Sequence, residues 1–171
     1  MTRNPRSTAA IAGHPIHPIV VTFPIAFFVG AFVCDLVFWR SSNPMWATAS
    51  LWLIGFGLIM AAVAAVLGAT DFLGDHRVRA INDAWWHAGA NVVVVLIELY
   101  NWYTRYAHGA DAVVPTGLAL SLIAVLLLLF SGWKGGELVF RHRVGVIDDP
   151  ERAQSTAPHS APGPQSGRHA A

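Results

Sequence analysis

The sequence predicts an all-α fold, a four-helix transmembrane bundle with antiparallel up-down topology. Three observations lead there. Of 171 residues, 54% are hydrophobic and only 12% are charged, about half the charged share of a typical soluble domain. Four apolar blocks, at 18–39, 46–72, 84–106 and 114–133, each reach the length of about 20 residues that a helix needs to cross a bilayer. The connections between them are short, which favours antiparallel neighbours, and open strands cannot span lipid because their backbone groups would go unpaired.

The first block follows Gly13-His14-Pro15-Ile16-His17-Pro18 and contains one acid, Asp35. No small-residue cleavage site follows it, so it reads as a retained helix rather than a signal peptide. A residue before proline avoids helical geometry, which predicts extended backbone at His14 and His17. Pro18 suits the first turn of a helix and makes His17 the expected cap. The second block carries Gly57, Ala61, Ala65 and Ala69 at four-residue spacing, a pattern that lets helices approach closely in lipid. Near its end lies Asp71, whose charge opposes the helix dipole; Arg77, Arg79, a histidine or a bound cation is expected to compensate it. The third block is opened by a cap at Asn82 or Asp83, and the fourth has Pro115 in its first turn. After it, Gly135 and Gly136 suggest a close backbone approach or a kink at the membrane surface, and Trp133 an interfacial anchor.

The Lys and Arg distribution predicts orientation. The N-terminus, second connection and C-terminus together hold nine such residues, from Arg3 to Arg168, against Arg40 and Arg105 on the other side. Both termini are therefore expected in the cytoplasm. Residues 1–12 read as a short basic N-terminus, 13–147 as the membrane domain, and 148–171 as a disordered tail rich in Ala, Pro, Ser and Gly. A net charge of +1 offers nothing to nucleic acid. The lone Cys34 excludes an internal disulfide and any multi-cysteine metal site.

Two sets of residues carry candidate chemistry. His14, His17, Asp71 and His87 come from three helices at one level, the cytoplasmic end. His17 and His87 sit at helix N-termini, where the dipole disfavours imidazolium and so favours the neutral form that binds metals. His17 and His87 are candidate axial ligands to haem b, and all four are candidate ligands to a divalent metal ion. The structural alternative for His14 and His17 is a pair of interfacial histidines solvated by headgroups, and for His87 a structural helix-end residue. The second set lies on the third helix, where His87, Asn91, Glu98, Asn101 and Arg105 share one stripe. Polar residues in a membrane face the bundle interior or water. Glu98, eleven residues from His87 or about 16 Å along the helix, is a proton-relay candidate together with Asn91. Arg105 is expected to pair with Asp35.

The His-Pro-x-His-Pro opening, followed by Thr22-Phe23-Pro24, resembles the first motif of the DUF2231 family of bacterial membrane proteins. The agreement continues through Gly68-Ala69-Thr70-Asp71, His87 with Asn91, the run at 135–139 and Val144-Gly145-Val146. The resemblance implies four transmembrane helices in a bacterial inner membrane, but no established activity. Relatives joined to Rieske-type domains hint at electron transfer, although a single cysteine cannot build such a cluster here. Three functions stay open: a haem- or metal-binding subunit with a redox partner, a proton or small-ion pathway along the third helix, and a non-catalytic anchor or assembly subunit. No phosphate loop, nucleophile elbow or His-Glu-x-x-His helix occurs, so a stand-alone enzyme is not expected. Membrane lipids and a second copy of the chain are the remaining expected partners.

Overall fold

A computed structural model describes residues 4–146 apart from 6 and 13; the tail expected at 148–171 lies outside the described residues. The chain enters through a two-residue antiparallel ladder, β1 (Ala10–Ile11) with β2 (His14–Pro15). His14 is thus extended, as the following proline demands. His17 is not: it opens the helical turn α1 (His17–Val20), with Ile16 rather than His17 at the cap. The preference imposed by Pro18 is overridden because the His17 ring is tied to the next hairpin, its Nδ1 lying 2.9 Å from the Ala64 carbonyl.

Helix α2 (Thr22–Ser41) ends at Ser42 in the left-handed conformation, φ 54°. Helix α3 (Pro44–Gly74) starts immediately, because Asn43 caps it through a 3.0 Å bond from Met45 N and Pro44 has no amide to leave unpaired. The turn α4 (His76–Arg79) is capped by Asp75. Helix α5 (Asn82–His108) begins after Ile81, with no side-chain cap; the expected cap residue Asp83 pairs instead with Lys134 at 2.8 Å. Gly109, at φ 65°, terminates α5 where a side chain would be strained. A 3₁₀ turn (Gly109–Ala112) and a π-type turn (Val113–Gly117) interrupted by extended Val114 lead into α6 (Leu118–Phe140). Three stretches are long and apolar enough to cross a membrane: His17–Ser41, Pro44–Gly74 and Asn82–Phe140.

Contacts inside each half run in opposite directions along the two helices. In the first half Asp35 meets Ser50, Phe28 meets Gly57 and His17 meets Gly68. In the second, Asp83 meets Lys134, His87 meets Ser131 and Asn101 meets Ser121. Aliphatic and aromatic side chains such as Trp52, Ile59, Val66, Leu96 and Leu129 point outward, as a lipid-facing surface requires. The interior is small, polar or both: Ser50, Ser121, Ser131, Asn101, Glu98, Asp35 and Arg105 are all buried. One apolar layer, Phe28, Ala31, Ile54, Val94, Ala124 and Leu128, crosses the middle.

The small-residue seam of α3 is shifted from the four-residue spacing. Gly57 and Ala64 are buried, Ala61 packs on the core and Gly68 faces His17, whereas Ala65 and Ala69 are exposed. A helix turns every 3.6 residues, so a strict spacing of four drifts off the contact face after two turns. Gly57 is the tightest point: a Cβ there would lie 2.5 Å from Phe28 Cε1.

Candidate functional site

The apolar layer separates two polar clusters on α5, so the predicted polar stripe is not continuous. Val94, one of the layer's residues, occupies the stripe between Asn91 and Glu98.

At one end of the bundle lie the two histidines. The rings of His17 and His87 stand 6.3 Å apart between centroids and nearly perpendicular, at 86°. His17 Nδ1 lies 2.9 Å from the Ala64 carbonyl and His87 Nδ1 lies 2.9 Å from the Ser131 carbonyl. A carbonyl only accepts, so each Nδ1 carries a proton; His87 Nδ1 also lies 3.0 Å from Ser131 Oγ. Asn91 Nδ2 approaches Ser131 Oγ at 2.7 Å, the His87 carbonyl at 2.8 Å and His87 Nε2 at 3.2 Å. Asn91 thus stands within hydrogen-bond reach of His87 Nε2 as well as of Ser131 Oγ and the His87 carbonyl. Glycines make room for both rings. A Cβ at Gly68 would lie 2.8 Å from His17 Cε1, and one at Gly135 would lie 3.2 Å from His87 Cε1. Gly135 thus marks a close approach and not a kink, since α6 runs through it to Phe140.

The hydrogen bonds of His14 and Asp71 run elsewhere than to the ring pair. His14 is exposed, its Nδ1 3.1 Å from the Ala12 carbonyl. The Asp71 carboxylate is engaged by the N-terminal segment: it accepts from Thr8 N at 2.7 Å, Ala9 N at 2.8 Å and Ser7 Oγ at 2.9 Å. These donors offset the dipole opposition at the end of α3. Arg77 pairs with Asp75 at 2.7 Å and holds that carboxyl below its ordinary value, chiefly through the side-chain hydrogen bond. Among the described residues no group of three or more His, Cys, Asp or Glu side chains is placed to hold a metal ion. His142 lies 3.3 Å from Asp83 and apart from the histidine pair's own bonds.

The other cluster surrounds the expected pair of Asp35 and Arg105, which is present and completely buried. Arg105 Nη1 and Nη2 donate to the two Asp35 oxygens at 2.5 and 2.7 Å. Sequence reading missed the residues that complete it, Ser50 and Ser121, because a serine inside an apolar block has no periodic signature. Ser50 Oγ and Ser121 Oγ donate to Asp35 at 2.6 and 2.7 Å. Glu98 is fully buried beside this set and accepts from Asn101 Nδ2 at 3.2 Å.

No curated protein and no solved structure matches the chain. A family model described as a predicted membrane protein (DUF2231) matches residues 13–148, a span that contains both histidines, the apolar layer and the Asp35–Arg105 pair. The chain belongs to the DUF2231 family of predicted membrane proteins.

Proposed function

We propose that this is a four-span protein of a bacterial inner membrane, with both termini cytoplasmic, in which His17 and His87 would hold haem b. The break at Val114 and the opposed contacts of α5 and α6 support counting Asn82–Phe140 as two spans. The Lys and Arg excess supports placing the histidine end in the cytoplasmic leaflet.

The ring pair carries the cofactor reading. The rings lie 6.3 Å apart between centroids, so His17 and His87 are the two residues that would hold such a group. Metal-binding histidines almost always donate the second ring N–H to a carbonyl or carboxylate, which fixes the tautomer and raises the basicity of the ligating nitrogen. Ala64 and Ser131 supply those carbonyls. A site with only two protein ligands suits an iron whose remaining positions come from a macrocycle better than a bare divalent ion, which takes three or four. The chemistry a bound haem would supply is one-electron transfer to or from a redox partner. Gly68 and Gly135 would keep the two ring faces free of side chains, and the Nδ1 bonds would keep both Nε2 atoms aimed by fixed rings.

An optical spectrum of protein purified from haem-supplied cells, oxidised and then dithionite-reduced, tests the reading. A Soret band with reduced α and β bands is expected, at least tenfold weaker per protein in His87→Ala and in His17→Ala. A featureless spectrum sinks the haem assignment and favours the assembly-subunit alternative, which would show itself by a stoichiometric co-purifying protein.

A further inference from the structure

We propose that Glu98 is a proton-exchange site inside the bundle, reached from the Arg105 end and closed off from the histidine end. The argument begins with what Glu98 does not do. Arg105 has five N–H donors, and all five are engaged without it. Nε donates to Asn101 Oδ1 at 2.9 Å. Nη1 donates to Asp35 Oδ1 at 2.5 Å and Ser50 Oγ at 2.6 Å. Nη2 donates to Asp35 Oδ2 at 2.7 Å and Ser121 Oγ at 3.2 Å. The Asp35–Arg105 pair is therefore closed, electrically and in hydrogen bonds, and Glu98 is a second carboxyl added beside it.

That carboxyl is 0% exposed. Its Oε2 accepts from Asn101, while its Oε1 is the one buried side-chain nitrogen or oxygen among the described residues with no hydrogen-bond partner. A buried polar atom left unpaired costs about 1–3 kcal/mol in proteins, so a purely structural role would be served better by an apolar side chain.

The charged groups acting on Glu98 are Asp35 from α2 and Arg105 from α5; α3 and α6 contribute the hydroxyls of Ser50 and Ser121 to the cluster. Two carboxylates face one guanidinium. The surplus is one negative charge, and one proton at Oε1 cancels it. A metal cation would need several oxygen ligands, whereas a proton needs a single lone pair. In the exchange step hydronium gives up a proton: its O–H bond breaks, an O–H bond forms at Glu98 Oε1, water is left and the carboxylate charge disappears; release reverses this, and no electron moves.

The surroundings give the site a direction. Towards the histidine end it meets the apolar layer of Phe28, Ile54, Val94 and Leu128. Such a layer conducts no protons while it stays dry. Towards the other end lie Asn101, Ser121 and Arg105, joined by hydrogen bonds.

Infrared difference spectra of the whole protein in lipid, recorded across a pH jump, test the proposal without any chromophore, so the result stands apart from the haem reading. A carboxylic-acid C=O band that shifts in heavy water is expected, and it disappears in the near-isosteric Glu98→Gln. Its persistence in Glu98→Gln, or its absence from the unsubstituted protein, overturns the proposal. A second measurement does not depend on Glu98→Gln folding. Proteoliposomes carrying the unsubstituted protein should show no proton flux down an imposed gradient, and Val94→Ser, which wets the layer, should raise flux at least tenfold. Flux through the unsubstituted protein, or none through Val94→Ser, overturns the one-sided arrangement.

Discussion

Removing the Asp35 carboxylate should cost far more than the hydrogen bonds it makes. Asp35 accepts four: from Arg105 Nη1 and Nη2, Ser50 Oγ and Ser121 Oγ, at 2.5 to 2.7 Å. Interhelical polar contacts in membrane proteins average about 0.6 kcal/mol, so those four alone account for about 2.4 kcal/mol. Asp35→Ala also strands a guanidinium whose side chain is 1% exposed. Breaking a buried pair by removing one partner costs about 3–5 kcal/mol, whereas replacing both partners by apolar groups of similar volume is often neutral. Asp35→Ala should therefore lose about 3–5 kcal/mol, and Asp35→Leu combined with Arg105→Met should recover at least half of it. The assay is unfolding in mixed micelles titrated with dodecyl sulfate, followed by tryptophan fluorescence. A loss below about 1 kcal/mol in Asp35→Ala, or no recovery in the double variant, would refute the view that an uncompensated charge dominates.

Two further outcomes follow from local geometry. Gly57→Ala places a Cβ 2.5 Å from the buried Phe28 ring; overpacking of this kind costs about 1–3 kcal/mol, and Phe28→Leu in the same chain should relieve it, measured by the same unfolding titration. Asp75 is held below its ordinary value of 3.8 by Arg77. A carboxyl lowered by folding stabilises the folded state fully above 3.8, and that contribution is lost as pH falls through the lower folded value. A carbon NMR titration of Asp75 should show a midpoint below 3.8 that rises in Arg77→Gln; an unchanged midpoint would remove Arg77 as the cause.

The histidine pair and the Asp35–Arg105 pair are partly legible in the sequence, since an up-down arrangement of the apolar blocks puts the members of each at matching depths. Geometry that depends on neighbours is not legible there: the level of Asp71 in the bundle does not reveal that its oxygens accept from Ser7, Thr8 and Ala9. Nothing in a polar N-terminal segment signals that it folds back onto the end of α3. Val94 sits within the stripe of α5, but a wheel that marks only polar positions passes over it. Gly135 reads from sequence as a close approach or a kink and Gly68 only as part of a motif, and only their partners across the bundle identify them as seats for imidazole rings.

Composition and block length by themselves determined the helical membrane class, because a bilayer accepts only long apolar segments whose backbone groups pair internally. They also located the residues too polar for lipid, which must turn inward. Tertiary structure alone decided which of those residues meet. Register between helices is set by the small side chains at Gly57, Ala64 and Gly68. That register brings His17 to His87 and closes Asp35 on Arg105, while leaving Glu98 Oε1 without a partner.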